Sequence, residues 1–209
     1  MSIKTIIFDF GGVLIDLFPM DTVRAFNEIS PLDVLQLHEL GFKESEYKDI
    51  ETSAISVNDF RVFLKKSLQI HSSDSELDEI WNKMLHGISK QKVKFIRALG
   101  EKYELAVLSN TNKIHKDFFE VECQDAFGPK GLHENFKKVY YSHEIKLRKP
   151  SSEIYEYILN DLARKPEECL FIDDSIENIN VAKALGIKTL FFERNDLFEN
   201  YSELLDLLN

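Results

Sequence analysis

Residues 6–16 read IIFDFGGVLID, and the fold turns on why Asp9 ends this apolar run. Ile6, Ile7 and Phe8 have the β-branched and aromatic build of a strand buried on both faces. Such a strand has no use for an unpaired carboxylate, because desolvating one costs on the order of several kcal/mol. A partner must therefore stand close by. Gly11 and Gly12, which follow, let other groups approach the backbone with no side chain in the way.

Working outward, three further runs share this build: ELAVLSN at 104–110, CLFIDD at 169–174 and KTLFF at 188–192. The first three of the four end in polar groups: Asp9, then Ser109 with Asn110, then Asp173 with Asp174. Between and beside them lie helical patterns at 90–100, 151–162 and 176–186, the first and last stopping at Gly100 and Gly186. Strand and helix in alternation predict βαβ crossovers and a parallel sheet, an α/β fold. Ligands bind such sheets beyond the carboxyl ends of the strands, so three strand ends point at one crevice.

Residues 17–89 break the rhythm. They offer no buried strand, but Ser30-Pro31 predicts a helix over 31–40, Ser56 with Asp59 one over 57–69, and Ser73 with Glu76 a third before SELDEIWNKML. A helical insertion that follows the first strand directly is expected to sit over the crevice. The stretch from Cys123 to Asn135 reads as irregular, His115 as a helix-surface residue and Trp81 as core.

Composition narrows the function. With 209 residues, 44% hydrophobic and 30% charged, the chain can bury a sizeable core without disulfides or metal. A net charge of −10 disfavours nonspecific binding to nucleic acid or an anionic membrane. Cys123 and Cys169 form no metal-binding pattern, MSIKTIIFDF has no signal-peptide build, and no run approaches a membrane span, so a cytoplasmic protein is expected.

At the strand ends, each group meets a need of phosphoryl transfer. Asp9 is a carboxylate nucleophile able to carry a phosphoryl group. Mg²⁺ held by Asp9, Asp174 and the Gly11 backbone carbonyl would offset repulsion between that carboxylate and a phosphate dianion. Ser109, nearby backbone N–H groups and the Lys149 ammonium can stabilise charge on the transferring oxygens, with Pro150 restricting the loop that bears Lys149.

Four stretches in this order, DFGGVL at 9–14, LSNT at 108–111, RKP at 148–150 and FIDDSIENI at 171–179, resemble the motifs of the haloacid dehalogenase superfamily. The resemblance implies a Rossmann-like three-layer core at 1–16 and 90–209 with an inserted helical cap at 17–89. It implies that Asp9 is the nucleophile, that Gly12, Ser109, Asn110 and Lys149 hold phosphate, and that Asp174 binds Mg²⁺. Asp173 and Asn178 take supporting roles. Within the superfamily, LSNTN, KIH and RKP are most similar to members acting on glucose 1-phosphate, which implies a small phosphorylated metabolite as substrate. Gly11 departs from the many members that carry a second Asp there as general acid, help worth about 10²–10⁴-fold. Two other readings stand beside the phosphatase: a metal-independent 2-haloacid dehalogenase, and a regulatory module that keeps the pocket without turnover.

Overall fold

The computed structural model describes residues 2–39, 45–196, 204 and 208. Met1, the last residue of the helix expected at 31–40, residues 41–44 of the insertion and most of 197–209 lie outside the described residues.

Five strands form one parallel sheet in the order β3-β2-β1-β4-β5: β1 (Thr5–Phe8), β2 (Glu104–Ser109), β3 (Lys138–Tyr141), β4 (Cys169–Asp173) and β5 (Lys188–Phe191). Four coincide with the apolar runs. The fifth, β3, was not expected: KVYY pairs with one neighbour at the sheet edge, and two of its four residues are only half-buried.

The period of two assigns the faces. Ile6 and Phe8 point into one apolar layer with Ile96 of α6 (Lys90–Gly100) and Phe119 of α7 (Lys113–Phe127). Ile7 points into the other with Ile154 and Ile158 of α9 (Ser152–Leu162) and Ala182 of α10 (Ile176–Ala184). Helices thus cover both faces, as an all-parallel sheet requires. The helix α7 also corrects the reading of 123–135: Cys123 to Phe127 is its last turns, and the chain then turns at Gly128.

The chain enters the sheet at its centre, builds outward through β2 and β3, then crosses to β4 on the opposite side of β1. Neighbouring connections leave β1 and β4 in opposite directions, which opens a crevice at their carboxyl ends.

Between β1 and α6 lie α1 (Pro19–Ile29), α2 (Val34–Glu39), α3 (Glu46–Glu51), α4 (Val57–Ser67) and α5 (Asp74–Trp81); a four-residue helix α8 (Ser142–Ile145) follows β3. Two of the expected caps form: Ser56 and Asp59 make a reciprocal box on α4, and Ser73 accepts from the Glu76 amide on α5. Ser30 instead ends α1, and α2 begins only at Val34, where Asp33 Oδ1 accepts from the Gln36 N–H at 2.9 Å. These helices pack around an apolar cluster of their own, centred on Phe60, Leu64 and Leu77, to which, among the described residues, Ile114 of α7 is the one contribution from outside.

The polypeptide enters and leaves this insertion side by side. Asp16 N–H donates to the Gly87 carbonyl at 3.0 Å, His86 N–H to Asp16 at 2.9 Å and Phe18 N–H to Met84 at 2.8 Å, an antiparallel ribbon through Leu17 and Leu85. The fully buried Lys92 ammonium reaches Asp16 at 2.7 Å beneath it. Among the described residues no helix is long and apolar enough to cross a membrane.

Candidate active site

Strand register brings the acids together. Phe8 pairs with Ile172, so the next residues, Asp9 and Asp173, emerge side by side, and the Asp9 amide donates to the Ile172 carbonyl at 2.8 Å. Carboxylate oxygens of Asp9, Asp173 and Asp174 lie within 4.8 Å of one another. On the other side of β1, Ser109 closes β2 and is buried.

Lys149 is the partner that Asp9 demanded. Its ammonium, 1% exposed, sits 2.7 Å from Asp9 Oδ1 and 2.7 Å from Asp173 Oδ2. Burial pulls the lysine pKa down, but Asp173 and Asp9 together outweigh it and the net direction is up. Asn110 anchors the loop: its amide donates to the Lys149 carbonyl and its carbonyl accepts from the Lys149 N–H, both at 2.9 Å. The Asn110 side chain thereby ties the end of β2 to the lysine backbone.

Asp173 and Asp174 differ in what remains open to them. Asp173 accepts from Lys149, from the Ser175 N–H at 2.8 Å, and from the Asn178 amide at 2.9 and 3.0 Å. It is saturated and positions the lysine. Asp174 packs against Gly12, whose φ of +79° suits glycine and where an added Cβ would stand 2.6 Å from Asp174 Oδ2. Its other contact is an ion pair with Arg194, beyond β5.

Three carboxyls thus face two cations, Lys149 buried and Arg194 half-exposed. Burial pushes the Asp9 carboxyl up to about 7, against the opposing pull of Lys149. Hard oxygen donors with unbalanced negative charge fit a divalent hard cation. The Gly11 carbonyl fits as well: Gly12 O accepts from Asn195 N–H at 2.7 Å, whereas Gly11 O has no protein donor among the described residues.

A cavity of about 180 Å³ adjoins the cluster over Gly11, Ser109 and Asn110. Tyr47, Glu51, Trp81 and Met84 of the insertion line it together with His115. His115 is not on the surface as expected. It is buried, stacks on the Trp81 ring at 5.1 Å and 9°, and its Nδ1 lies 2.8 Å from Asn82 Oδ1. Trp81 stacks also on Tyr47, so it is core and cavity wall at once. Glu51 is held by Arg148, next to Lys149, at 2.8 and 2.9 Å. His143 and Glu144 of α8 lie near Lys149 in sequence but are engaged elsewhere: His143 is buried beside Tyr141, and Glu144 pairs with Lys116.

Arg194, Asn195 and Glu51 carried no sequence signal of their own. Arg194 could have been found as a charged residue just beyond the carboxyl end of the fourth apolar run.

A family model described as haloacid dehalogenase-like hydrolase matches residues 3–186. The chain is 28% identical over 209 residues, 99% of each chain, to a D-ribitol-5-phosphate phosphatase of Bacteroides thetaiotaomicron. It is 33% identical to a solved enzyme of this family from the same organism, in complex with magnesium and inorganic phosphate. That match covers 97% of this chain and 99% of the other with a TM-score of 0.83. A hydrolase structure from Porphyromonas gingivalis aligns at 31% identity and a TM-score of 0.82, over 100% and 98% of the two chains.

Proposed function

The chain belongs to the haloacid dehalogenase-like hydrolases, and from that premise we propose that it is a Mg²⁺-dependent phosphomonoesterase of small sugar or polyol phosphates, working through an aspartyl-phosphate on Asp9. The observation that carries this reading is the lysine shared at 2.7 Å between Asp9 and Asp173, with Asp174 beside them. A site that only binds phosphate needs no carboxylate directed at it, and metal-free attack on a haloacid gains nothing from three clustered acids.

In this mechanism an Asp9 oxygen attacks phosphorus as the bond to the ester oxygen breaks, leaving the phosphoryl group on Asp9; with Gly11 in place of an acid, the departing oxygen takes its proton from water and leaves as the alcohol. Water then attacks that phosphorus and gives up a proton to solvent, the bond to Asp9 breaks, and inorganic phosphate leaves. Lys149 offsets charge on the transferring oxygens, Ser109 and the adjacent main-chain amides donate to them, and Asn110 fixes Lys149 through its backbone. Asp173, with Asn178 and the start of α10 behind it, orients the lysine. Asp9, Asp174 and the Gly11 carbonyl would hold Mg²⁺, which when bound supplies the positive charge that lets a carboxylate approach a phosphate dianion. Residues 17–89 serve as the cap of this site, and 1–16 with 90–209 as its catalytic core.

The relative acting on ribitol 5-phosphate widens the expected substrate from aldose phosphates to alditol phosphates. The test is phosphate release from a panel of such esters with Mg²⁺, with excess chelator, and with Asp9→Asn. We expect turnover only with metal, and a loss of roughly 10³-fold or more in the variant, as nucleophile removal costs elsewhere. Full activity in chelator or in Asp9→Asn would overturn the mechanism.

A further inference from the structure

We propose that His115 and Glu51 form a hydroxyl-accepting wall that selects phosphates of neutral polyhydroxy compounds and turns away those carrying a second anionic group. The inference rests on the phosphatase reading and concerns the half of the substrate that the cluster around Asp9 does not touch.

The tautomer of His115 follows from its partner. Asn82 presents a carbonyl oxygen to Nδ1 at 2.8 Å, so Nδ1 carries the hydrogen and Nε2 keeps its lone pair. Burial pushes the imidazole pKa down to about 3, which keeps the ring neutral and Nε2 an acceptor at physiological pH. Among the described residues nothing donates to Nε2. The parallel Trp81 ring fixes the plane of the imidazole, and both rings line the cavity over Gly11.

Glu51 repeats the pattern. Arg148 takes one of its oxygens, Oε2, with both of its contacts, and Oε1 has no protein donor among the described residues. His115 and Glu51 both line a space of about 180 Å³, a fit for a few carbons bearing hydroxyl groups, and each keeps an acceptor with no protein donor among the described residues. Among the described residues no Lys or Arg lines that space. A second phosphate or a carboxylate on the substrate would meet the Glu51 carboxylate, whose partner Arg148 is already engaged, so the added charge would go unpaired, and a desolvated unpaired charge is expensive. A hydroxyl chain leaves no such charge and gives each acceptor a hydrogen.

The test compares kcat/KM on ribitol 5-phosphate, on 4-nitrophenyl phosphate, which has no hydroxyl to offer, and on 3-phosphoglycerate, whose tail is anionic. The loss of a hydrogen bond to a buried acceptor is expected to lower the ribitol 5-phosphate value about 10- to 100-fold in His115→Phe, with a loss at least about tenfold smaller on the aryl ester. His115→Gln, which keeps a side-chain carbonyl acceptor, recovers part of the difference. Wild type favours ribitol 5-phosphate over 3-phosphoglycerate, and Glu51→Gln narrows that gap. Equal losses on the ribitol and aryl esters in both His115 variants, or equal wild-type rates with the anionic tail, would overturn the wall while leaving the phosphatase intact. Absence of hydrolysis of every ester by wild type overturns the phosphatase reading and the wall with it.

Discussion

In the proposed mechanism a proton and a metal ion compete for Asp9. Its carboxyl, pushed up to about 7 by burial, must ionise to ligate, so lowering the pH through about 7 protonates it and weakens Mg²⁺ binding. The expected fall approaches about tenfold per pH unit below that value, accompanied by proton release on binding. Isothermal titration at pH 8 and pH 6, in buffers of unlike ionisation heat, checks both; equal affinities without proton release would mean that Asp9 is already ionised. The acids at this scale were legible because each ends an apolar run, where a charge has no packing reason to be. His115 was not. Its burial comes from Asn82 and Trp81, more than thirty positions earlier in the chain, and no local pattern encodes a partner at that distance.

At the scale of elements, the loop carrying Lys149 depends on one side chain from the end of β2. Asn110→Ala removes both 2.9 Å bonds to the Lys149 backbone and frees the ammonium to leave its shared place between Asp9 and Asp173. A fall in kcat of about 10- to 100-fold is expected with the fold kept, of the order that mispositioning by an ångström costs. Steady-state kinetics beside a circular-dichroism melt separates this from unfolding, and an unchanged kcat would show that the loop holds itself. Four of the five strands were legible as apolar runs because strands buried on both faces cannot hide their composition. The edge strand β3, with Lys138 and half-buried Val139, lacks that pressure and was missed. Helices with strong caps at Ser56 and Ser73 were found, whereas α1 begins at Phe18 with no side-chain cap.

For the whole molecule, the described contacts between insertion and core include the Glu51–Arg148 pair, a 2.7 Å bond from the Ser53 hydroxyl to the His143 carbonyl, the contacts of Asn82 and Trp81 with His115, Ile114 in the insertion's apolar cluster, two bonds between Leu17 and Asn195, and the two-stranded ribbon at Leu17 and Leu85. The ribbon rests on the buried Lys92. Lys92→Met leaves Asp16 partly exposed but unpaired, and is expected to cost about 1–3 kcal/mol, below the range for a fully buried pair. Urea unfolding measures that cost, and faster hydrogen exchange at Asp16 and His86 locates it; unchanged exchange there would place the lysine's role elsewhere. Because the outgoing and returning chains are already hydrogen-bonded neighbours, a two-residue hairpin turn between Phe18 and Met84 would close the gap without displacing either strand. The helices beyond that turn form a cassette. Under the proposed mechanism, exchanging it for another would change which alcohol is released, while the sheet, the lysine and the acids stay in register.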